Sequence, residues 1–268
     1  MGRVNEMITS IQNPKVKQVR GLLANKDERE EHGLFIIEGV RLAEEALHAG
    51  SRPKYILFSS QLSTRGHNLL HKLADQKCEI EEIAPDLMDR ISDTETSQGI
   101  LMALPSLKTI PGNSHTFVLV LDMLRDPGNM GTLLRSAAAL GVEAVILTPE
   151  SADPYSPKVL RSAMGAHFKL SISTMTSDEI LTYCKTSNTP ALDILLADSE
   201  KGKICWEEDL TRPMCVVIGG EAAGAGKDLR KIADKSIRIP MLDTTESYNA
   251  AVAGSILMYE AYRQRTAK

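Results

Sequence analysis

The chain has 268 residues, 43% of them hydrophobic and 25% charged, with a net charge of −4. That is globular composition at a length suited to one or two domains, with enough chain to bury a core without staples. It excludes a histone-like or tail-driven nucleic-acid binder, while a local basic face remains compatible with a near-neutral total.

The first segment, 1–105, mixes helix and strand signals. "NPKVKQVRGLLANKDEREE" reads as helical from Pro14, a residue suited to a first helical position, with Val16, Val19, Leu22 and Leu23 at helical spacing. "GLFIIEG" is a short strand between glycines, and "RLAEEALHAG" is a helix ending at Gly50. "PKYILFSS" and "QGILMAL" are further strands. The alternation predicts a small α/β domain. "SLKTIPGNSH" is rich in Pro, Gly, Ser and Asn and reads as a linker over 106–115.

From 116 to 268 the rhythm is clearer. "TFVLVLD" is a buried strand, "NMGTLLRSAAALG" a helix starting near Asn129, and "EAVILT" the next strand. "MCVVIGG" and "KSIRIPM" are later strands. "NAAVAGSILMYEAYRQR" is a long closing helix that Ser247 or Asn249 can cap. Apolar strands separated by helices predict a parallel sheet covered on both faces.

No stretch approaches about 18 uninterrupted apolar residues, so no membrane span is expected. The start "MGRVNEMITS" lacks a signal-peptide core. Cys78, Cys184, Cys205 and Cys215 show no C-x-x-C pair and read as buried, reduced thiols of a cytoplasmic protein. His67 and His71 stand at i, i+4 without an evident third ligand, so no metal is expected.

Three segments of the second half carry the candidate chemistry. "MCVVIGGEAAGAGKD" is neither a P-loop nor a dinucleotide turn. Lys227 is followed by Asp228, the position five before Gly226 is Glu221, and the glycine spacing from Gly219 is wrong. Its glycines permit close approach to the backbone. "LDMLRDPGNMGTLLRSAAALG" places Arg135 off the buried helix stripe of Met130, Leu133, Leu134 and Ala137. "IPMLDTTESYNAAVAGSILMYEAYRQR" joins a strand to the closing helix through a polar loop.

Taken together, "RDPGNMGTLLRSA", "VVIGGEAAGAG" and "IPMLDTTESYNAAVAGSI" resemble the three ordered signatures of the SpoU family, in the SPOUT superfamily of RNA ribose methyltransferases. "SIQNPKVKQVRGLL" and "GLFIIEGVRLAEEA" resemble the ribosomal-protein-like RNA-binding domain joined to one branch of it. The third signature usually reads Ser-Leu-Asn and here is Ser247-Tyr248-Asn249. The resemblance implies a deep trefoil knot in the parallel-sheet domain, against the general rarity of knots. It implies S-adenosylmethionine as methyl donor, bound around Gly219, Gly220, Glu221, Gly224, Ile239, Met241, Ser247 and Asn249.

The resemblance also implies a ribose 2′-hydroxyl acceptor and a catalytic set of Arg135, Asn129, Glu221, Ser247 and Asn249. Two versions of Arg135 stand: a base deprotonated in a desolvated pocket, or a charged clamp on an RNA phosphate and the developing alkoxide. Arg3, Lys15, Lys17, Arg20 and Arg41 are the expected RNA-binding residues, reading shape and phosphates, since aromatics are only 4% of the chain. A homodimer is implied, with the small residues of the closing helix as its seam. The expected substrate is 23S ribosomal RNA, with transfer RNA as the alternative; some enzymes of this shape protect ribosomes against thiopeptide antibiotics. A catalytically silent RNA-binding protein of the same fold is the rival from another class, and uptake of labelled methyl into RNA separates the two.

Overall fold

The computed structural model describes residues 6–74, 78–106, 111–220, 224–242 and 247–267. The chain divides into two compact units, Met1–Ser106 with Tyr155–Arg161, and Leu107–Pro154 with Ser162–Lys268.

The first unit is built on a four-stranded sheet. Its strands are β1 (Leu34–Glu38), β2 (Tyr55–Phe58), β3 (Glu79–Glu82) and β4 (Ile100–Pro105), in the order β1-β4-β2-β3. The sheet is mixed: β4 runs antiparallel to β1 and β2, and β3 parallel to β2. The helical run expected from Pro14 is two helices, α1 (Pro14–Ala24) and α2 (Lys26–His32). The break is Asn25, which takes an extended backbone and caps α2 by accepting from the Asp27 N–H at 2.9 Å. Further helices are α3 (Val40–His48), α4 (Thr64–Ala74) and α5 (Pro85–Ile91). Val16, Val19 and Leu22 of α1 meet Leu34 and Ile36 of β1 and Leu87 and Met88 of α5 in one fully buried cluster.

The second unit carries seven strands, all parallel: β5 (Phe117–Asp122), β6 (Ala144–Leu147), β7 (Ser171–Thr174), β8 (Asp193–Ala197), β9 (Lys203–Ile204), β10 (Met214–Gly219) and β11 (Lys235–Arg238). Their order is β7-β6-β5-β10-β8-β11-β9. Its helices are α6 (Pro127–Ala139), α8 (Ser177–Thr182), α9 (Lys227–Ile232) and α10 (Ala250–Thr266), while α7 (Pro157–Ala163) starts in the segment that groups with the first unit. Alternate residues explain the uninterrupted apolar runs. Val118, Val120, Cys215 and Val217 face Ile180, Cys184 and Leu229 on one side. On the other side α10 packs against α6 and β10. Gly254 makes that fit, since a Cβ there would come within 2.4 Å of the Leu133 side chain and 3.3 Å of Ile218. The four cysteines are free thiols, with Cys184, Cys205 and Cys215 buried. Among the described residues no helix is long and apolar enough to cross a membrane.

Candidate active site

The sheet changes direction between β5 and β10. From β5 the chain builds outward through β6 and β7; the later strands lie on the other side. β5 and β10 end level, Gly219 opposite Asp122, at the carboxyl edge, where parallel α/β sheets hold ligands.

The turn after β10 is held by backbone. Gly224 donates to the Gly220 carbonyl at 3.0 Å and has φ +64, a left-handed conformation that glycine adopts at little cost. The buried Asp122 carboxylate accepts from the Gly226 N–H at 2.6 Å and ties this turn to the end of β5. The missing side chains of Gly219 and Gly220 face protein: a Cβ on Gly219 would lie 2.1 Å from the Ala225 nitrogen, and one on Gly220 2.6 Å from the Met123 carbonyl. These glycines therefore serve close backbone packing first, where the sequence suggests room for a ligand, and through that packing they shape the ligand wall.

A cavity of about 330 Å³ lies against this turn. Gly219, Gly220, Gly224, Ile239, Met241 and Ser247, all singled out in the sequence, line it. Ile218, Ile237 and Leu257 add apolar surface, and Ala253 of α10 forms part of its wall. Asp198, Ser199 and Arg230 line it as well and were missed in the sequence. Asp198 and Arg230 stand 32 residues apart and meet only because β8 and β10 are neighbours.

Asn249 sits at the start of α10 and caps it. Its Oδ1 accepts from the Ala251 N–H at 2.9 Å and the Val252 N–H at 3.3 Å, which leaves Nδ2 to donate to Asn129 Oδ1 at 3.1 Å. Asn129 is not the cap of α6, as its sequence position suggests. Asp126 is, accepting from the Asn129 N–H at 2.7 Å. The substitution of roles matters: with Asp126 capping, the Asn129 side chain is directed to Asn249, and the first turns of α6 and α10 are joined.

Arg135 is exposed and does not belong to the described cavity lining. It lies about 60° around α6 from Thr132, at ~100° per residue. Thr132 lines a second, apolar groove of about 350 Å³ between α6 and α10, with Ala251, Val252, Ser255, Ile256 and Tyr259. Within one chain, then, Asn129 and Asn249 come together, Ser247 lines the cavity, and Arg135 stands apart, beside an apolar groove. Glu221 falls outside the described residues, as does Arg3 of the RNA-binding set.

Of the other RNA-binding candidates, Lys17, Arg20 and Arg41 are exposed. Lys15 is engaged: its ammonium pairs with Glu79 at 2.5 Å and Glu81 at 3.1 Å. Burial works against that charge, but the two carboxylates outweigh it and push the lysine pKa up. Among the described residues no cluster of His, Cys, Asp or Glu has metal-site geometry.

A parallel α/β sheet with a partly apolar cavity of about 330 Å³ at its carboxyl edge is the arrangement in which α/β proteins hold small ligands. The family comparisons specify the class. The model of the SpoU rRNA Methylase family matches residues 116–259, and an MRM3-like substrate binding domain matches 13–102. The chain belongs to the SpoU family. It is 31% identical to the 23S rRNA (guanosine(2553)-2′-O)-methyltransferase RlmP of Bacillus subtilis, over 95% of this chain and 98% of the relative. It is 30% identical to the 23S rRNA (uridine(2479)-2′-O)-methyltransferase of Streptomyces viridochromogenes, over 96% and 92%. Among solved structures, the SpoU methyltransferase AviRb from Streptomyces viridochromogenes in complex with AdoMet superposes with a TM-score of 0.82 at 28% identity, covering 94% of this chain and 99% of that one.

Proposed function

We propose that this protein transfers a methyl group from S-adenosylmethionine to a ribose 2′-hydroxyl of 23S ribosomal RNA, and that it works as a homodimer. The observation that carries the reading is the cavity at the ends of β8, β10 and β11 together with the Asn129–Asn249 bond beside it. The cavity fits the cofactor: Ile218, Ile237, Ile239 and Leu257 offer an apolar slot for a base, and the backbone of 219–220 and 224 offers polar edges, within the volume range of small-ligand sites. Both units match relatives named for 23S rRNA, and this favours ribosomal over transfer RNA.

When bound, S-adenosylmethionine supplies a methyl group already activated on a sulfonium, so the protein's task is alignment and electrostatics. Gly219, Gly220 and Gly224 with Ile239 and Met241 hold the donor. Asn249 and Asn129, each fixing the other's amide, present polar groups to the acceptor sugar, with Ser247 beside them. Arg135 remains a guanidinium. Its five N–H groups and lack of an accepting lone pair suit a clamp on phosphate and alkoxide rather than a proton acceptor.

The dimer reading rests on the groove between α6 and α10. Val252 is 48% exposed, Tyr259 59% and Tyr262 42%, at helical spacing on one face of α10. Arg135 flanks that groove and not its own cavity, so the reading has Arg135 clamping RNA at the partner's site. A trefoil knot is part of the same proposal, on the family resemblance, and the order β10-β8-β11-β9 with α10 packed against β10 is consistent with it. An experimental chain trace through 239–250 that pulls straight from its ends would overturn the knot.

The function is tested with labelled methyl donor, full-length 23S transcript and bulk transfer RNA, followed by mapping of alkali-resistant ribose positions. One resistant position in the ribosomal transcript is expected; resistance confined to transfer RNA, or no incorporation, overturns the reading. In the same assay Ala253→Phe, which places a ring into the cavity from α10, is expected to abolish cofactor binding by calorimetry while shifting the melting temperature by no more than a few degrees.

A further inference from the structure

Among the described lining of the cofactor cavity only two side chains carry full charge, Asp198 and Arg230, and they are paired. Asp198 follows β8. Its Oδ1 accepts from the N–H groups of Glu200 at 2.9 Å and Lys201 at 3.0 Å, folding the loop after the strand, and its Oδ2 accepts from Arg230 Nη1 at 2.8 Å. Burial pushes the Asp198 carboxyl up, but Arg230 and the two N–H groups more than offset this and hold it at about 2, so it is ionised at any working pH. Arg230 stands on α9 and its Nε donates to the Ala225 carbonyl at 2.9 Å. Two of the three guanidinium nitrogens are thereby fixed. The third, Nη2, lies over Gly224, where an added Cβ would come within 2.9 Å of it. Gly224 is itself part of the cavity wall.

This pair does little for the fold by itself. The Arg230 side chain is 41% exposed and that of Asp198 10%, and solvent on the arginine side screens the pair and reduces its contribution to stability. What the surrounding bonds provide is a fixed guanidinium beside a fixed carboxylate, facing a cavity whose other described walls are apolar, hydroxyl-bearing or backbone. The adenine and ribose of the cofactor are neutral. Its amino-acid end carries one carboxylate and one ammonium on the same carbon. A side-by-side ion pair is the complement of that zwitterion, and a guanidinium fixed on two nitrogens donates to a carboxylate with little further ordering.

We infer that Asp198 and Arg230 together read the amino-acid end of S-adenosylmethionine, Arg230 Nη2 donating to its carboxylate and Asp198 Oδ2 accepting from its ammonium group. The inference rests on the cofactor reading above.

Calorimetry on the full chain tests it with three ligands: S-adenosylmethionine, its decarboxylated form, and 5′-methylthioadenosine, which lacks the whole amino-acid end. The wild type is expected to prefer the first over the second by about tenfold, the scale of one charge-assisted hydrogen bond. Arg230→Leu is expected to erase that preference by weakening S-adenosylmethionine alone, with 5′-methylthioadenosine bound as in the wild type. Asp198→Asn keeps one oxygen to accept from the 200–201 turn but replaces Oδ2 with a donor, and is expected to weaken both ligands that carry the ammonium, again sparing 5′-methylthioadenosine. If Arg230→Leu weakens 5′-methylthioadenosine as much as S-adenosylmethionine, the pair is a strut for the loops and the inference is overturned. It is equally overturned if the variant keeps the wild-type preference for the carboxylated ligand. A wild type that binds none of the three overturns the cofactor reading itself, a result distinct from either of these.

Discussion

Arg135→Ala is expected to reduce methyl transfer by a factor of about 10² to 10³, the scale seen when one charge-stabilising donor is removed from a reacting centre. Calorimetric affinity for S-adenosylmethionine and the melting temperature are expected to stay at wild-type values. The reason is positional: Arg135 is exposed on α6 and is absent from the described cavity lining, so neither core nor donor site depends on it. Arg135→Lys keeps the charge but loses the planar fork, and partial activity with an unchanged pH–rate profile is expected of a clamp. Loss of all activity in Arg135→Lys would favour a specific guanidine base. The trans arrangement has its own readout. Coexpressing Arg135→Ala chains with Ala253→Phe chains leaves one intact donor site and one intact arginine in each mixed dimer. Activity near a quarter of wild type is expected, because about half the dimers are mixed and each has one working site of two. No recovery would place Arg135 in cis.

The second large effect concerns stability and pH. His167 is 2% exposed, and its Nε2–H donates to the Pro154 carbonyl at 2.7 Å. Burial pushes its pKa down, from 6.5 to about 4, with the Pro154 bond and Asp153 opposing only in part. The folded state therefore holds this imidazole neutral, while the unfolded chain takes up a proton near its ordinary value. A depressed folded pKa means stability that is complete above about pH 6.5 and is lost as the pH falls through about 4. The loss amounts to about 3 kcal/mol, at ~1.4 kcal/mol per pKa unit. Urea melts of the whole chain between pH 7.5 and 4 are expected to show this decline relative to His167→Gln, which has nothing to titrate there. Parallel pH curves for the two proteins would refute it.

Much of the fold was legible because burial writes itself into composition. Apart from Asp122 at the end of β5, β5 and β10 are apolar at every buried position, as strands covered on both faces are. Pro14 and Asn249 mark their helix ends by chemistry alone. Legibility failed where two local signals compete. Asn25 sits inside an apparently continuous helical run and still stops it, because its side chain serves the next helix better than its backbone serves the last. Asp126 and Asn129 are both good caps, and Pro127 decides for the former by fitting the first helical position. β3 reads as "EIEE", an edge strand whose exposed glutamates hide it from any hydrophobic pattern. The cavity lining was legible only where residues are consecutive along a signature. The Asp198–Arg230 pair forms across strands, and strand order is a property of long-range pairing that spacing along the chain does not encode.

That strand order also bears on how the protein is made. β5, β6 and β7 are neighbours in sequence and in the sheet, so a nascent chain can zip them together as they leave the ribosome. β8 pairs with β10 and β11, and β9 with β11, so both must wait for strands synthesised later. During translation β5 and β8 are two open edges, the kind that recruit foreign strands, and β10 closes both when it slides between them. A chain truncated before Met214 would thus be a half-zipped polypeptide prone to clumping, and the stretch from β10 onward functions as a built-in fastener rather than an appendage.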